Sequence, residues 1–179
     1  MGNSEIFKNI VRFISLVLVQ VLLLNHINFL EYINPYLYIL FILLYPIDGN
    51  KSLLIFLSFL LGLSIDMFGD SGGVHAAACL VIAYIRPLIL KFSFGVSYEY
   101  NMIKLNKTAF LERFIYISFM VIIHHLVLFS LEIFSFSHII LILKSTLFSG
   151  IFSFVLIFST LLLFSKNSWW ENYSWFPLC

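Results

Sequence analysis

Apolar runs bounded by polar residues divide the chain into six segments, at about 13–30, 34–47, 52–69, 74–90, 114–133 and 139–165. A helix needs roughly 20 apolar residues to cross about 30 Å of hydrocarbon. The pattern therefore predicts an all-α integral membrane protein with about six transmembrane helices in one compact bundle. The second segment is short, and Pro35 and Pro46 sit at its ends, where the missing N–H of proline is tolerated. It reads either as a tilted short span or as a re-entrant segment. Asp48-Gly49-Asn50-Lys51 and Gly69-Asp70-Ser71-Gly72-Gly73 are turn chemistry and predict tight antiparallel hairpins.

Composition agrees with the pattern and narrows it. Of 179 residues, 61% are hydrophobic and 11% charged, and the mean hydropathy is +1.03. A soluble domain has roughly 45–50% apolar and about 25% charged residues, so a water-soluble globule is excluded. At about 20 residues per span the length holds six or seven spans at most, leaving residues 1–179 as a single polytopic domain. Lys8 and Arg12 before an apolar run resemble a signal sequence, but no small-x-small cleavage site follows Leu24, and the segment is read as the first span. Cys79 and Cys179 match no metal spacing. The net charge of +1 supplies no field to hold nucleic acid.

The position of the charges decides the number of spans. With six spans and a cytoplasmic N-terminus, Lys8, Arg12, Lys51, Lys91, Lys104, Lys107, Arg113 and Lys166 all lie inside, and the outer connections near Glu31, Asp70 and Ser137 contain no Lys or Arg. Five spans would place Lys91, Lys104, Lys107 and Arg113 opposite Lys8 and Arg12, so six are favoured and both termini are cytoplasmic. The long loop 91–113 mixes these cations with Phe92, Phe94, Tyr98 and Tyr100; it reads as an ordinary positive-inside loop or as a segment lying in the headgroup layer. The tail from Trp169 to Trp175 reads as an aromatic belt.

Polar residues at membrane depth are costly and so are the first places to look for function. In the third run Ser58, Gly62 and Asp66 form one stripe at i, i+4 and i+8, and in the fourth Ala76, Cys79, Ala83 and Arg86 share a face. Small residues let helix backbones approach, so these two faces are expected to meet in a close hairpin. Asp66 and Arg86 are offset by about 15 Å along it, too far for an ion pair. Asp66 is placed for His75 or for the amides of Gly72 and Gly73, as a cap on the glycine turn or as a group that binds a partner or ligand. Arg86 is expected to snorkel to the inner headgroups. Glu132 and Lys144 fall within about one helical turn in depth and are expected to pair. His124 and His125 lack the spacing of a zinc hydrolase and are expected to be hydrogen-bonded packing residues. No catalytic constellation, cofactor motif or metal site is visible.

The segment Leu61-Gly62-Leu63-Ser64-Ile65-Asp66, followed by Gly73-Val74-His75-Ala76-Ala77-Ala78 and Ile82-Ala83-Tyr84, resembles the signature of the MreD family of bacterial rod-shape-determining membrane proteins. Asn34-Pro35 with Ile42-Leu43-Leu44-Tyr45 is similar to that family's second span, and the specific part of the resemblance covers about residues 34–90. The turn Asp70-Ser71-Gly72 and the pair Arg86-Pro87 depart from the family's pattern. The resemblance implies a non-enzymatic scaffold of the inner-membrane machinery that organises lateral peptidoglycan synthesis and cell shape. Its implied partners are an MreC-like single-span protein, MreB filaments, RodA and a transpeptidase, within membrane lipid and without nucleic acid. It also implies that the glycine and aspartate positions of the signature are Gly62, Asp66 and Gly73, and a fold similar to the substrate-binding subunits of energy-coupling-factor transporters. That likeness raises the alternative of a vitamin-type transporter subunit, whose outward pocket would draw on Asn25, His26, Glu31, Asp66, His75 and Glu132.

Overall fold

Four of the predicted runs fold into helices with nearly the predicted bounds. In the computed structural model, which describes residues 3–27, 34–47, 49–95, 109–134 and 138–166, these are α3 (Lys51–Gly69), α4 (Val74–Phe94), α5 (Phe110–Ile133) and α6 (Ile139–Lys166). They are preceded by α1 (Asn3–Leu22), a 3-10 turn (Leu24–His26) and the short α2 (Ile39–Leu44). Among the described residues there is no strand. Helices α3 to α6 are long and apolar enough to cross a bilayer.

Two elements differ from the reading of the apolar runs. Helix α1 starts ten residues before the predicted span and carries Lys8 and Arg12 on its own turns, because a hydropathy run marks hydrocarbon depth and not the end of the helix. Residues 28–30, which complete the predicted first span, and 31–33 after them lie outside the described residues. The second segment is neither a continuous helix nor an exposed turn: residues 34–37 are irregular and lead into six residues of helix.

Each long helix packs against its neighbour in sequence, so that α3, α4, α5 and α6 follow one another, and α1 lies against α3. Helix α2 sits among α1, α3, α4 and α5 with every residue from Ile39 to Leu43 buried. Large apolar side chains such as Phe56, Met67, Leu88, Ile122 and Leu147 cover the outside of the molecule, the arrangement favoured where the surrounding solvent is lipid. The connection between α3 and α4 takes four residues, with Asp70, Gly72 and Gly73 at φ of 49°, 66° and 94°. Residues 96–108 of the basic loop, with Tyr98, Tyr100, Lys104 and Lys107, the turn 135–137 and the tail from 167 onward lie outside the described residues.

Candidate functional site

The polar side chains of the interior gather in three places, each built on a backbone that a membrane cannot solvate. The first is the α3–α4 hairpin. Ser58, Gly62 and Asp66 are buried on α3, facing the buried Ala76, Cys79, Ala83 and Arg86 side of α4. At Gly62 the helices touch: a Cβ there would lie 2.5 Å from both Ala76 Cα and the His75 carbonyl oxygen. Four residues further along α3, the Asp66 carboxylate accepts hydrogen bonds from the amides of His75 (3.0 Å) and Ala76 (2.8 Å) and from the Ser71 hydroxyl (2.6 Å). These amides belong to the first turn of α4, where no intrahelical acceptor exists. Asp66 thus caps the next helix across the turn, on His75 and Ala76 and not on Gly72 and Gly73. Gly73 adopts a left-handed conformation immediately before α4, which glycine reaches without steric cost.

The second place is the α2 terminus at the other end of the fold. Arg86 is 3% exposed. Its Nε donates to the Tyr116 hydroxyl (3.0 Å), and its Nη2 donates to the carbonyls of Leu43 (3.4 Å) and Tyr45. Arg12, half-buried on α1, donates from Nη1 to the Leu44 carbonyl (3.2 Å) and to Asn9 Oδ1 (3.3 Å). Two guanidinium groups therefore meet the carbonyls that six helical residues leave unpaired, where the helix dipole is negative. This corrects the expectation that Arg86 snorkels to the headgroups: the carbonyl ends of α2 lie within its reach inside the bundle and supply acceptors there.

The third place surrounds residues 34–38. Gln20 donates from Nε2 to the Pro35 carbonyl (2.9 Å) and to Asn25 Oδ1 (3.0 Å), and its Oε1 accepts from the Leu37 amide (2.9 Å). Ser153 Oγ accepts from the Tyr36 amide (2.8 Å), and Ser149 Oγ from the Asn34 amide (3.3 Å). Tyr36, Tyr38, His75, His124 and His125 form a ring cluster with centroids 5.2 to 6.2 Å apart. The Tyr38 hydroxyl bridges His75 Nδ1 (2.8 Å) and His124 Nε2 (2.9 Å), while His124 Nδ1 has no partner. A bare lone pair costs less than an unmet N–H, so His124 Nε2–H donates to Tyr38, whose O–H donates to His75. His125 Nδ1–H donates to the Val121 carbonyl (2.8 Å), leaving Nε2 to accept from Ser153 (3.0 Å). All three imidazoles are neutral in this arrangement, and the two adjacent histidines are hydrogen-bonded within the packing, as expected.

Glu132 and Lys144 are both exposed, and no ion pair joins them. The buried stripe of α6 runs through Ile142, Ser145, Thr146, Ser149 and Ser153, and Lys144 projects off that stripe, which is why similar depth does not produce contact. Ser58 is fully buried and its hydroxyl has no partner. Of the residues named for an outward pocket, Asn25 is bonded to Gln20, and Asp66 and His75 are engaged as described. Glu31 and the side chain of His26 lie outside the described residues. Among the described residues no group of three or more His, Cys, Asp or Glu is arranged to hold a metal. Gln20, Tyr38, Tyr116 and the bonding roles of Arg12 and Ser153 were not singled out by the sequence. Gln20 was the one with a visible signal, an amide inside the run from Phe13 to Leu24.

Comparison of the chain with protein-family models, with curated proteins and with solved structures finds no match.

Proposed function

We propose that this chain is a non-enzymatic membrane scaffold of the bacterial cell-elongation machinery, which organises lateral peptidoglycan synthesis and rod shape. It works in the cytoplasmic membrane beside an MreC-like single-span protein, MreB filaments, RodA and a transpeptidase, with both termini cytoplasmic. The observation that carries the reading is the α3–α4 interlock. The three positions to which the MreD resemblance carries the family's glycine and aspartate, Gly62, Asp66 and Gly73, are the ones that bring the helices into contact, cap α4 and shape the turn. A second support is that Gln20, Asp66, Arg86 and His125 spend their hydrogen bonds on backbone and on one another inside the bundle, which suits a body that holds partners in place. The small-residue and Asp66 faces are buried against each other, so a partner helix docks on another face of the bundle.

The proposal is tested by depleting the protein in its native host while following cell shape and the incorporation of a fluorescent D-amino acid. Rounding of the cells with loss of side-wall incorporation is the expected result. Unchanged shape with loss of uptake of a vitamin-sized solute would replace this reading with the transporter subunit.

A further inference from the structure

Ionisable groups at membrane depth are costly and mark a place to look for function, and the scaffold reading makes no use of the imidazoles gathered there. His75, Tyr38 and His124 form a short wire, with the Tyr38 hydroxyl 2.8 Å from His75 Nδ1 and 2.9 Å from His124 Nε2. Tyr38 and His124 are fully buried, whereas His75, in the first turn of α4, is 8% exposed. The turn before it is open, since a Cβ on Gly72 or Gly73 would meet no atom within 4 Å. The wire thus has one end near the surface, at His75, and a sealed end at His124. Its hydrogens are fully matched: His124 Nε2–H donates to Tyr38, Tyr38 O–H donates to His75, and His124 Nδ1 keeps a bare lone pair. A proton added to His75 turns Nδ1 from acceptor into donor, and three hydrogens then face one phenol oxygen. Either the Tyr38 hydrogen is left unmet, or it turns to His124 Nε2 and drives the His124 proton to Nδ1, where no partner stands. His125 gives no relief, because its ring nitrogens are held by the Val121 carbonyl and by Ser153.

We propose that His75, Tyr38 and His124 are a proton-operated latch: uptake of one proton at His75, from the glycine-turn side, breaks the Tyr38 bridge and loosens the 34–38 segment from α4 and α5. The groups around the wire fix where the proton goes. From α3 the Asp66 carboxylate accepts from the His75 amide at 3.0 Å, and its charge draws a proton to His75 rather than to the sealed end. Tyr36 packs its ring on His75, His124 and His125. Cys79 of α4 lies within electrostatic reach of Tyr38, and Glu132 of α5 within reach of Tyr36. From α6, the Ser149 and Ser153 hydroxyls hold the backbone of the same segment. The carboxylates favour a cation, while the surplus donor opposes the resting bonds, so the cluster holds the proton only by rearranging. The Tyr38 bridge joins the segment before α2 to α4 and α5 at once, and this is the contact that the rearrangement gives up.

The full-length protein is purified in mild detergent, and its unfolding midpoint is followed from about pH 8 to about pH 5, across the ordinary imidazole range. The unfolded chain takes up its protons there without an unmet donor, so stability falls with acid, and the wild-type midpoint drops by about 5 °C. His75→Gln, whose amide oxygen accepts from Tyr38 but does not titrate, keeps the midpoint at high pH and removes most of the drop. His26→Gln combined with His138→Gln, the chain's remaining histidines, leaves the drop in place. A wild-type midpoint that does not move overturns the proposal, as does a His75→Gln protein that keeps the full drop. Nitrogen NMR of the wild-type imidazoles decides the matter even where His75→Gln fails to fold. His75 and His124 both carry their proton on Nε2 at high pH, and both spectra change in one step with acid. A His124 proton on Nδ1 at high pH, or a His75 titration that leaves His124 unchanged, overturns the latch.

Discussion

Asp66 stands at the end of one helix and satisfies the start of the next, so its loss removes an acceptor from two buried amides at once. Asp66→Ala is expected to lower stability by about 2 kcal/mol, combining a lost cap with unmet donors, measured as the unfolding midpoint in detergent. Gly62→Ala places its new Cβ against α4 backbone, which cannot rotate away as a side chain could. A cost of about 3 kcal/mol follows if the hairpin opens to admit it; an unchanged midpoint would show that the helices do not touch there. Tyr38→Phe strips the hydrogen-bond partner from His75 Nδ1 and His124 Nε2, and about 1–3 kcal/mol is expected. The Ser58–Gly62–Asp66 stripe was legible in the sequence because its spacing is helical and its residues are small. The role of Arg86 was not, because its carbonyl acceptors lie 41 and 43 residues away, at the end of an element whose broken shape hydropathy does not report.

Helix α2 is the element on which the interior depends, since an irregular approach and a six-residue helix are stable at membrane depth only when protein supplies the missing hydrogen bonds. Gln20, Ser149 and Ser153 serve the approach, and Arg12, Arg86 and Tyr116 serve the helix end. Arg86→Met removes the Arg86 donor from the Tyr45 carbonyl, while the Leu43 carbonyl keeps the Tyr116 hydroxyl, and is expected to cost about 1–3 kcal/mol. Arg86→Lys is expected to recover little of this, because one ammonium cannot reproduce the divergent Nε and Nη2 contacts. Labelling of a cysteine placed at Leu43 would report the loosening of α2, and Arg86→Lys indistinguishable from wild type would contradict the fork. The sequence showed that this segment was short and bounded by prolines, and it left open a tilted span or a re-entrant one. The choice between them lies in side chains on four other elements, which periodicity along one segment does not contain.

At the scale of the whole molecule, the long helices follow one another in space in chain order, and α2 sits among α1, α3, α4 and α5. One end gathers Arg12, Arg86 and Tyr116 at the α2 terminus, and the other holds Asp66, Ser71 and the glycine turn. On the proposed six-span topology, α1 and α2 are the pair that returns both termini to one side. Reporter fusions at the two termini are expected to be active in the cytoplasm, and opposite activities would remove one of the six passages. The central claim is that this bundle is an assembly partner, and mild-detergent purification of the tagged protein from its native host, with mass spectrometry of co-purifying proteins and small molecules, tests it most directly. The account predicts recovery of an MreC-like protein and cell-wall synthase subunits without a stoichiometric vitamin-sized ligand. Recovery of such a ligand together with an ATPase module would contradict it.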